Sequence, residues 1–190
     1  AAPIVVGNCM VVKPADNAGV IAGFIADIML EAGLPAGLVQ VVTGSGAELG
    51  TPIIASSDFL MFTGSTAVGK LLMRQGADTM KRMFLELGGK SAAIVLDDAN
   101  PAVIVPTAIG VCVHAGQACA ATSRMLIHRS LYDQAVADIT MAYQHVPVGD
   151  PVDPGTLVGP VISAAQKERV LSAIDGARRD GAEITRSEEH

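Results

Sequence analysis

Phe59-Leu60-Met61-Phe62-Thr63-Gly64-Ser65-Thr66-Ala67-Val68-Gly69-Lys70 runs from an apolar stretch through a glycine turn into the start of a helix. Phe59 to Phe62 is too short for a buried helix and reads as a strand, and Gly64-Ser65-Thr66 turns into a helix ending near Gly76. The same unit recurs upstream. Val5 to Val12 reads as a buried strand ending at Lys13-Pro14, and Ile21, Phe24, Ile25, Ile28, Met29 and Ala32 then form a helical stripe closed by Gly33 and Pro35. Leu38 to Val42 is a further buried strand, Thr43-Gly44-Ser45-Gly46 a turn, and Ala47 to Ala55 a short helix. Strand and helix thus alternate through short loops, the pattern of right-handed crossovers in a parallel sheet. The expected fold class is α/β, with a partial Rossmann-like parallel-sheet domain first.

Met83 to Leu87 continues that sheet, and Gly88-Gly89 is a natural hinge. The expected domains are residues 1–87, residues 88–184, and a frayed or appended tail at 185–190. In the second lobe Ala92 to Leu96 and Met125 to His128 read as strands, Leu131 to Tyr143 and Ser163 to Asp180 as helices. Asn100-Pro101 looks like an N-cap with proline at the first helical position, ahead of an apolar helix from Val103 to Cys112. Pro106 inside that helix would cost about 3 kcal/mol, so the helix kinks there or starts later than Pro101.

With 190 residues, half of them hydrophobic, the chain can bury a sizeable core. Its net charge of -6, with no cluster of Lys and Arg, argues against a nucleic acid or an anionic membrane as partner. No apolar run reaches the roughly 18 residues of a membrane span and no secretion signal is visible, so the cytoplasm is the expected compartment. Three cysteines without a C-x-x-C pair fit reducing conditions and no metal site. The chain opens on Ala1 directly into Pro3 to Gly7 without an initiator methionine, which suggests a fragment or a processed chain.

Gly64-Ser65-Thr66-Ala67-Val68-Gly69-Lys70 nearly matches a Walker A loop, but Leu71 replaces the Ser or Thr that would hold magnesium. No strand ending in aspartate follows at a useful distance. What survives is a helix N-terminus whose amides can receive a pyrophosphate, with Gly64 allowing close approach. Gly44-Ser45-Gly46 with Gly50 falls one residue short of a G-x-G-x-x-G fingerprint. Lys13 is either a solvated end-of-strand charge or a ligand contact at the carboxyl edge of a sheet, and Asp16 can cap a helix, bind a ribose hydroxyl, or do both.

Cys9 in a strand and Cys112 on an apolar helix read as packing thiols, and His128 and His145 as structural. Cys119, in His114-Ala115-Gly116-Gln117-Ala118-Cys119, sits among small residues where a substrate can approach. It is a nucleophile or one more packing thiol. Glu86, in Leu85-Glu86-Leu87-Gly88-Gly89-Lys90-Ser91, is a general base or a hydrogen-bonded structural carboxylate.

Lys13-Pro14-Ala15-Asp16, Phe62 to Gly69, Leu85 to Ser91 and Gly116-Gln117-Ala118-Cys119, in this order and spacing, closely resemble the aldehyde dehydrogenase superfamily. The resemblance runs from about Pro3 to Ile184, and members of the family are more than twice as long, so it implies a central portion. It implies an oxidoreductase that converts an aldehyde to an acid with NAD, or with NADP. Cys119 then matches the nucleophile that forms a thiohemiacetal and a thioester, Glu86 the base that activates water, and the Cys119 amide half of an oxyanion hole. Lys13 and Asp16 match the adenosine-ribose contacts, Gly44 a position near the adenine with Val68 close by, Gly64 and Ser65 the pyrophosphate contacts, and Leu87 a further cofactor contact. Family members that prefer NAD usually carry a glutamate where this chain has Asp16, so NAD is favoured over NADP by charge, with a shorter reach. The remaining oxyanion-hole asparagine and a ribose-binding glutamate fall outside these residues, which implies that they alone are inactive and that the full-length protein is a homo-oligomer. A relative that makes or reduces acyl-CoA or acyl phosphate is the alternative within enzymes, and a non-catalytic scaffold the alternative outside them.

Overall fold

A computed structural model describes residues 2–185. Residues 186–190 of the tail set apart above lie outside the described residues. The chain divides after Leu87 into two compact units.

The first unit contains α1 (Ala2–Val5), β1 (Met10–Val12), a 3-10 turn (Asp16–Ala18), α2 (Gly19–Glu31), β2 (Val39–Val41), α3 (Gly46–Ser56), β3 (Phe59–Gly64), α4 (Thr66–Gly76) and β4 (Arg82–Leu87). β1 runs parallel to β2, with Val12 opposite Val41. β3 runs parallel to β4, with Gly64 opposite Leu87. Where one continuous sheet was expected, the ladders form separate two-stranded pairs. β1 and β2 are only three residues each, and α3 and α4 join the two pairs by packing, with Gln75 Nε2 donating to Thr51 Oγ1 at 3.2 Å.

The strand expected from Val5 to Val12 is mostly not one. Gly7 adopts φ 88°, and the Asn8 amide donates to the Pro3 carbonyl at 2.9 Å while its side chain donates to the same oxygen at 3.3 Å. The chain reverses there, so only Met10–Val12 extends and Cys9 is exposed rather than buried. β2 is likewise only half-buried, with Gln40 facing out. Asp16 does not cap the helix after it: α2 begins at Gly19, and no side chain caps either it or the 3-10 turn. α3 and α4 have real caps. Ser45 and Glu48 form a reciprocal capping box, and Ser65 Oγ accepts the Val68 amide at 3.3 Å.

The second unit contains β5 (Ala92–Val95), a 3-10 turn (Pro101–Val103), α5 (Ile104–Ile109), an irregular 3-10 stretch (Gly110–Gly116), β6 (Arg124–Ile127), α6 (Arg129–Tyr143) and α7 (Ala164–Arg179). β5 and β6 are parallel, with Val95 opposite Ile127. Asn100 Oδ1 accepts the Ala102 amide at 3.0 Å, and the α-helix proper starts three residues after Pro101. Pro106 is therefore its third residue, in the first turn, where a missing N–H breaks no ladder bond. Cys112 lies beyond α5 in the 3-10 stretch. Val95, Ile104 and Ala135 are buried together, with Met125, Ile127, Leu131 and Ile139 packed around them. Burying Val95 and Ile104 contributes about 1.5–3 kcal/mol each.

Two polar contacts pin this unit. His128 caps α6, its Nδ1 accepting the Ser130 amide at 3.3 Å. His128→Ala should lower unfolding free energy by about 1 kcal/mol and His128→Asn should retain most of it, as read from denaturant midpoints. Tyr143 donates to the Ala108 carbonyl at 2.8 Å, fastening α6 to α5. Burial, then the charge and hydrogen bonding of the adjacent Cys112, push its phenol from 10.0 up to about 12. A phenol harder to ionise folded than unfolded stabilises the fold fully below pH of about 10, and that contribution is lost as pH rises towards about 12. Tyr143→Phe should flatten this alkaline decline in urea midpoints, while costing about 1 kcal/mol at neutral pH for the lost hydrogen bond.

Candidate functional site

In open α/β sheets the carboxyl ends of parallel strands face ligands, because the chain leaves them in loops whose backbone groups are free to bind. β1 and β2 end in register, so Lys13–Asp16 and Thr43–Ser45 leave the same edge. Lys13 Nζ donates to Asp16 Oδ1 at 3.2 Å, to the Gly44 carbonyl at 3.1 Å and to the Pro14 carbonyl. The lysine is thereby held, while the Asp16 side chain stays 76% exposed. Beside them is a groove of about 240 Å³ lined by Pro14, Asp16, Gly19, Thr43, Gly44 and Ser45. Only glycine suits position 44, where φ is 151° and a Cβ would sit 2.9 Å from a Leu49 methyl. Lys13, Asp16 and Gly44 are thus brought together.

The second edge is that of β3 and β4. A Cβ at Gly64 would lie 2.4 Å from the Phe62 ring, so the glycine makes room for that ring. Ser65 commits its hydroxyl to the Val68 amide, whereas the first-turn amides of Thr66 and Ala67 have no intrahelical partner. These two amides lie at the N-terminal end of an 11-residue helix, the end whose dipole favours negative charge. Leu87 nests on α4, where a Cβ at Gly69 would approach both its methyls at 2.9 Å. Its side chain is therefore used in packing, and its backbone is what remains at the strand end. The pleat turns Glu86 to the opposite face, exposed and across from Thr63. Gly64, Ser65, Glu86 and Leu87 share this edge.

Cys119 belongs to the second unit. It follows three consecutive left-handed residues, His114, Ala115 and Gly116, with φ of 55°, 54° and 73°. Cys119 is exposed, and its amide makes no hydrogen bond among the described residues. A Cβ at Gly89 would lie 4.0 Å from the Cys119 carbonyl, an ordinary contact distance that places the two backbone segments side by side. Cys112, by contrast, is half-buried against Tyr143. No group of three or more potential metal ligands occurs among the described residues. No described helix is long and apolar enough to cross a membrane.

Sequence reasoning gave Gln117 no role. Its side-chain amide donates to the His114 carbonyl at 3.0 Å and accepts the Ile162 amide at 3.0 Å. The available signals were its place in the Gly116-Gln117-Ala118-Cys119 motif and a long amide side chain among small residues.

The aldehyde dehydrogenase family model matches residues 1–189. The chain belongs to the aldehyde dehydrogenase family. The match passes through the segment after Ile184, where the resemblance had been expected to stop. Human aldehyde dehydrogenase 1A1 is 40% identical over 182 residues, covering 94% of this chain and 36% of the relative. The chloroplastic aminoaldehyde dehydrogenase of Arabidopsis thaliana is 37% identical over 187 residues, 96% of this chain and 37% of the relative. The chain thus spans a little over a third of the length of these relatives. Among solved structures, the NAD+ complex of a Bacillus cereus aldehyde dehydrogenase superposes with a TM-score of 0.89 at 37% identity, covering 94% of this chain and 37% of that one. Aldehyde dehydrogenase C of Pseudomonas syringae, in complex with NAD+ and octanal, gives 0.90 at 32% identity, covering 94% and 37%. The α/β class is that of these enzymes.

Proposed function

We propose that these residues serve an NAD-linked oxidation of an aldehyde to a carboxylic acid in the full-length protein, with residues 1–87 holding cofactor and residues 88–184 carrying the nucleophile. The observation that carries the reading is the exposed Cys119 thiol with an unengaged amide behind it. The first unit fits NAD: the held Lys13 and exposed Asp16 can bind ribose hydroxyls beside the groove, and the Thr66 and Ala67 amides can receive a pyrophosphate. Asp16 would repel a 2′-phosphate, which favours NAD, while Lys13 leaves NADP possible. Bound there, the nicotinamide supplies the hydride acceptor.

The Cys119 thiolate adds to the aldehyde carbonyl, and its own amide N–H stabilises the resulting oxyanion. Loss of hydride from the thiohemiacetal leaves a thioester on Cys119. Glu86 takes a proton from the water that cleaves the thioester, releasing the acid and restoring the thiol. Three free cysteines suit a reducing compartment, and we assign the protein to the cytoplasm, as a homo-oligomer without nucleic-acid or membrane partners.

The test is acceptor dependence. With octanal and NAD+, the full-length protein should release reduced cofactor and octanoate one for one without coenzyme A or phosphate. A requirement for either acceptor would assign the acyl-transfer chemistry instead. No turnover under any condition, with Cys119 alkylated by iodoacetamide no faster than Cys9 or Cys112, would assign a non-catalytic scaffold.

A further inference from the structure

We infer that Gln117 is a positioning residue for the Cys119 thiol, holding the strained turn before it to the loop that ends at Ile162. The inference rests on the reading of Cys119 as the nucleophile. His114 and Ala115 both carry a Cβ in the left-handed region, at φ of 55° and 54°, with Gly116 continuing at 73°. Such a run is unfavourable for L-residues and persists only where its surroundings over-determine it. The Gln117 backbone amide donates to the His114 carbonyl at 3.1 Å, and its side-chain Nε2 donates to the same oxygen at 3.0 Å. At the other end of the side chain, Oε1 accepts the Ile162 amide, 45 residues away, at 3.0 Å.

The anchor is itself held. Val148 and Val158 form a parallel bridge, the Gly149 amide donates to the Val158 carbonyl at 3.0 Å, and the Leu157 and Val158 amides both donate to the Pro147 carbonyl at 3.0 Å. One amide group therefore spans from a strained turn to a closed loop, with Cys119 two residues away on the same short segment. The requirement is specific. Asparagine is a methylene short of the span, glutamate accepts at Ile162 but cannot donate to His114 while ionised, and methionine matches the length but does neither. Gln117 is exposed, so its replacement should affect geometry more than global stability.

The experiment compares Gln117→Met, Gln117→Glu and Cys119→Ser in the full-length protein. Gln117→Met should lower kcat about 10- to 100-fold, the scale of a small misplacement of reacting groups, with the cofactor KM within about twofold of wild type. Alkylation of Cys119, referenced to Cys9 in the same sample, should slow alongside kcat. Gln117→Glu, which keeps one of the two bonds, should fall between wild type and methionine, and it carries the test alone if Gln117→Met does not fold. Wild-type kcat and labelling in both variants would overturn the inference, as would a kcat loss that merely follows the folded fraction in thermal melts. Cys119→Ser separates the two levels. If it is inactive while both Gln117 variants behave as wild type, only the positioning role fails; if it turns over normally, the nucleophile reading fails and takes this inference with it.

Discussion

Cys119→Ser in the full-length protein is expected to reduce steady-state aldehyde oxidation by on the order of 10⁴-fold or more, the scale seen when a covalent nucleophile is removed. Sulfur is intrinsically a far stronger nucleophile than a hydroxyl oxygen, which without an adjacent base to activate it attacks a carbonyl poorly. The substitution changes one atom at an exposed position, so melting temperature and cofactor affinity should stay within error of wild type. That combination distinguishes lost chemistry from lost structure. The matching control is Cys112→Ser, at a half-buried thiol against Tyr143, which should shift stability and leave turnover intact. Single-turnover release of reduced cofactor, measured beside thermal melts for both variants, decides the matter. Undiminished release from Cys119→Ser would remove the covalent mechanism.

Where a local cause operates, the fold could be read from sequence. Ser45 with Glu48 three residues on, Ser65 before Thr66, and Ser163 before Ala164 each place an oxygen where a first-turn amide needs one, and each begins a helix within a residue or two of the expected point. Misreadings came where a hydrogen bond outside the periodic pattern decides. Val5 to Cys9 has the composition of a strand, yet the Pro3 carbonyl captures Asn8 and turns the chain. Asp16 looks like a cap, but the carbonyl of Gly44, 31 residues from Lys13, helps to fix that lysine where it pairs with the carboxylate instead. For the site, residue types and spacing marked Lys13, Gly64, Glu86 and Cys119 as candidates through their resemblance to a family. Gln117 escaped because its partner Ile162 lies in a loop with no periodic signal, whereas His128, read as structural, is so as the cap of α6.

Glu86→Gln is expected to separate the two halves of the reaction. Glu86 is exposed on β4, with its side chain turned away from the Leu87 packing against α4, so the isosteric amide should fold as wild type. An amide cannot accept the proton from water. Acylation of Cys119 should therefore still deliver one equivalent of reduced cofactor in a burst, followed by a steady state about 10²- to 10⁴-fold below wild type, the usual contribution of a general base. Added hydroxylamine, a nucleophile that needs no such base, should cleave the waiting thioester and restore part of the turnover. The burst locates the defect. A full burst with slow turnover places Glu86 in deacylation, whereas loss of the burst together with slower alkylation of Cys119 places it in forming the thiolate. An undiminished steady state with water as acceptor would show that another group is the base.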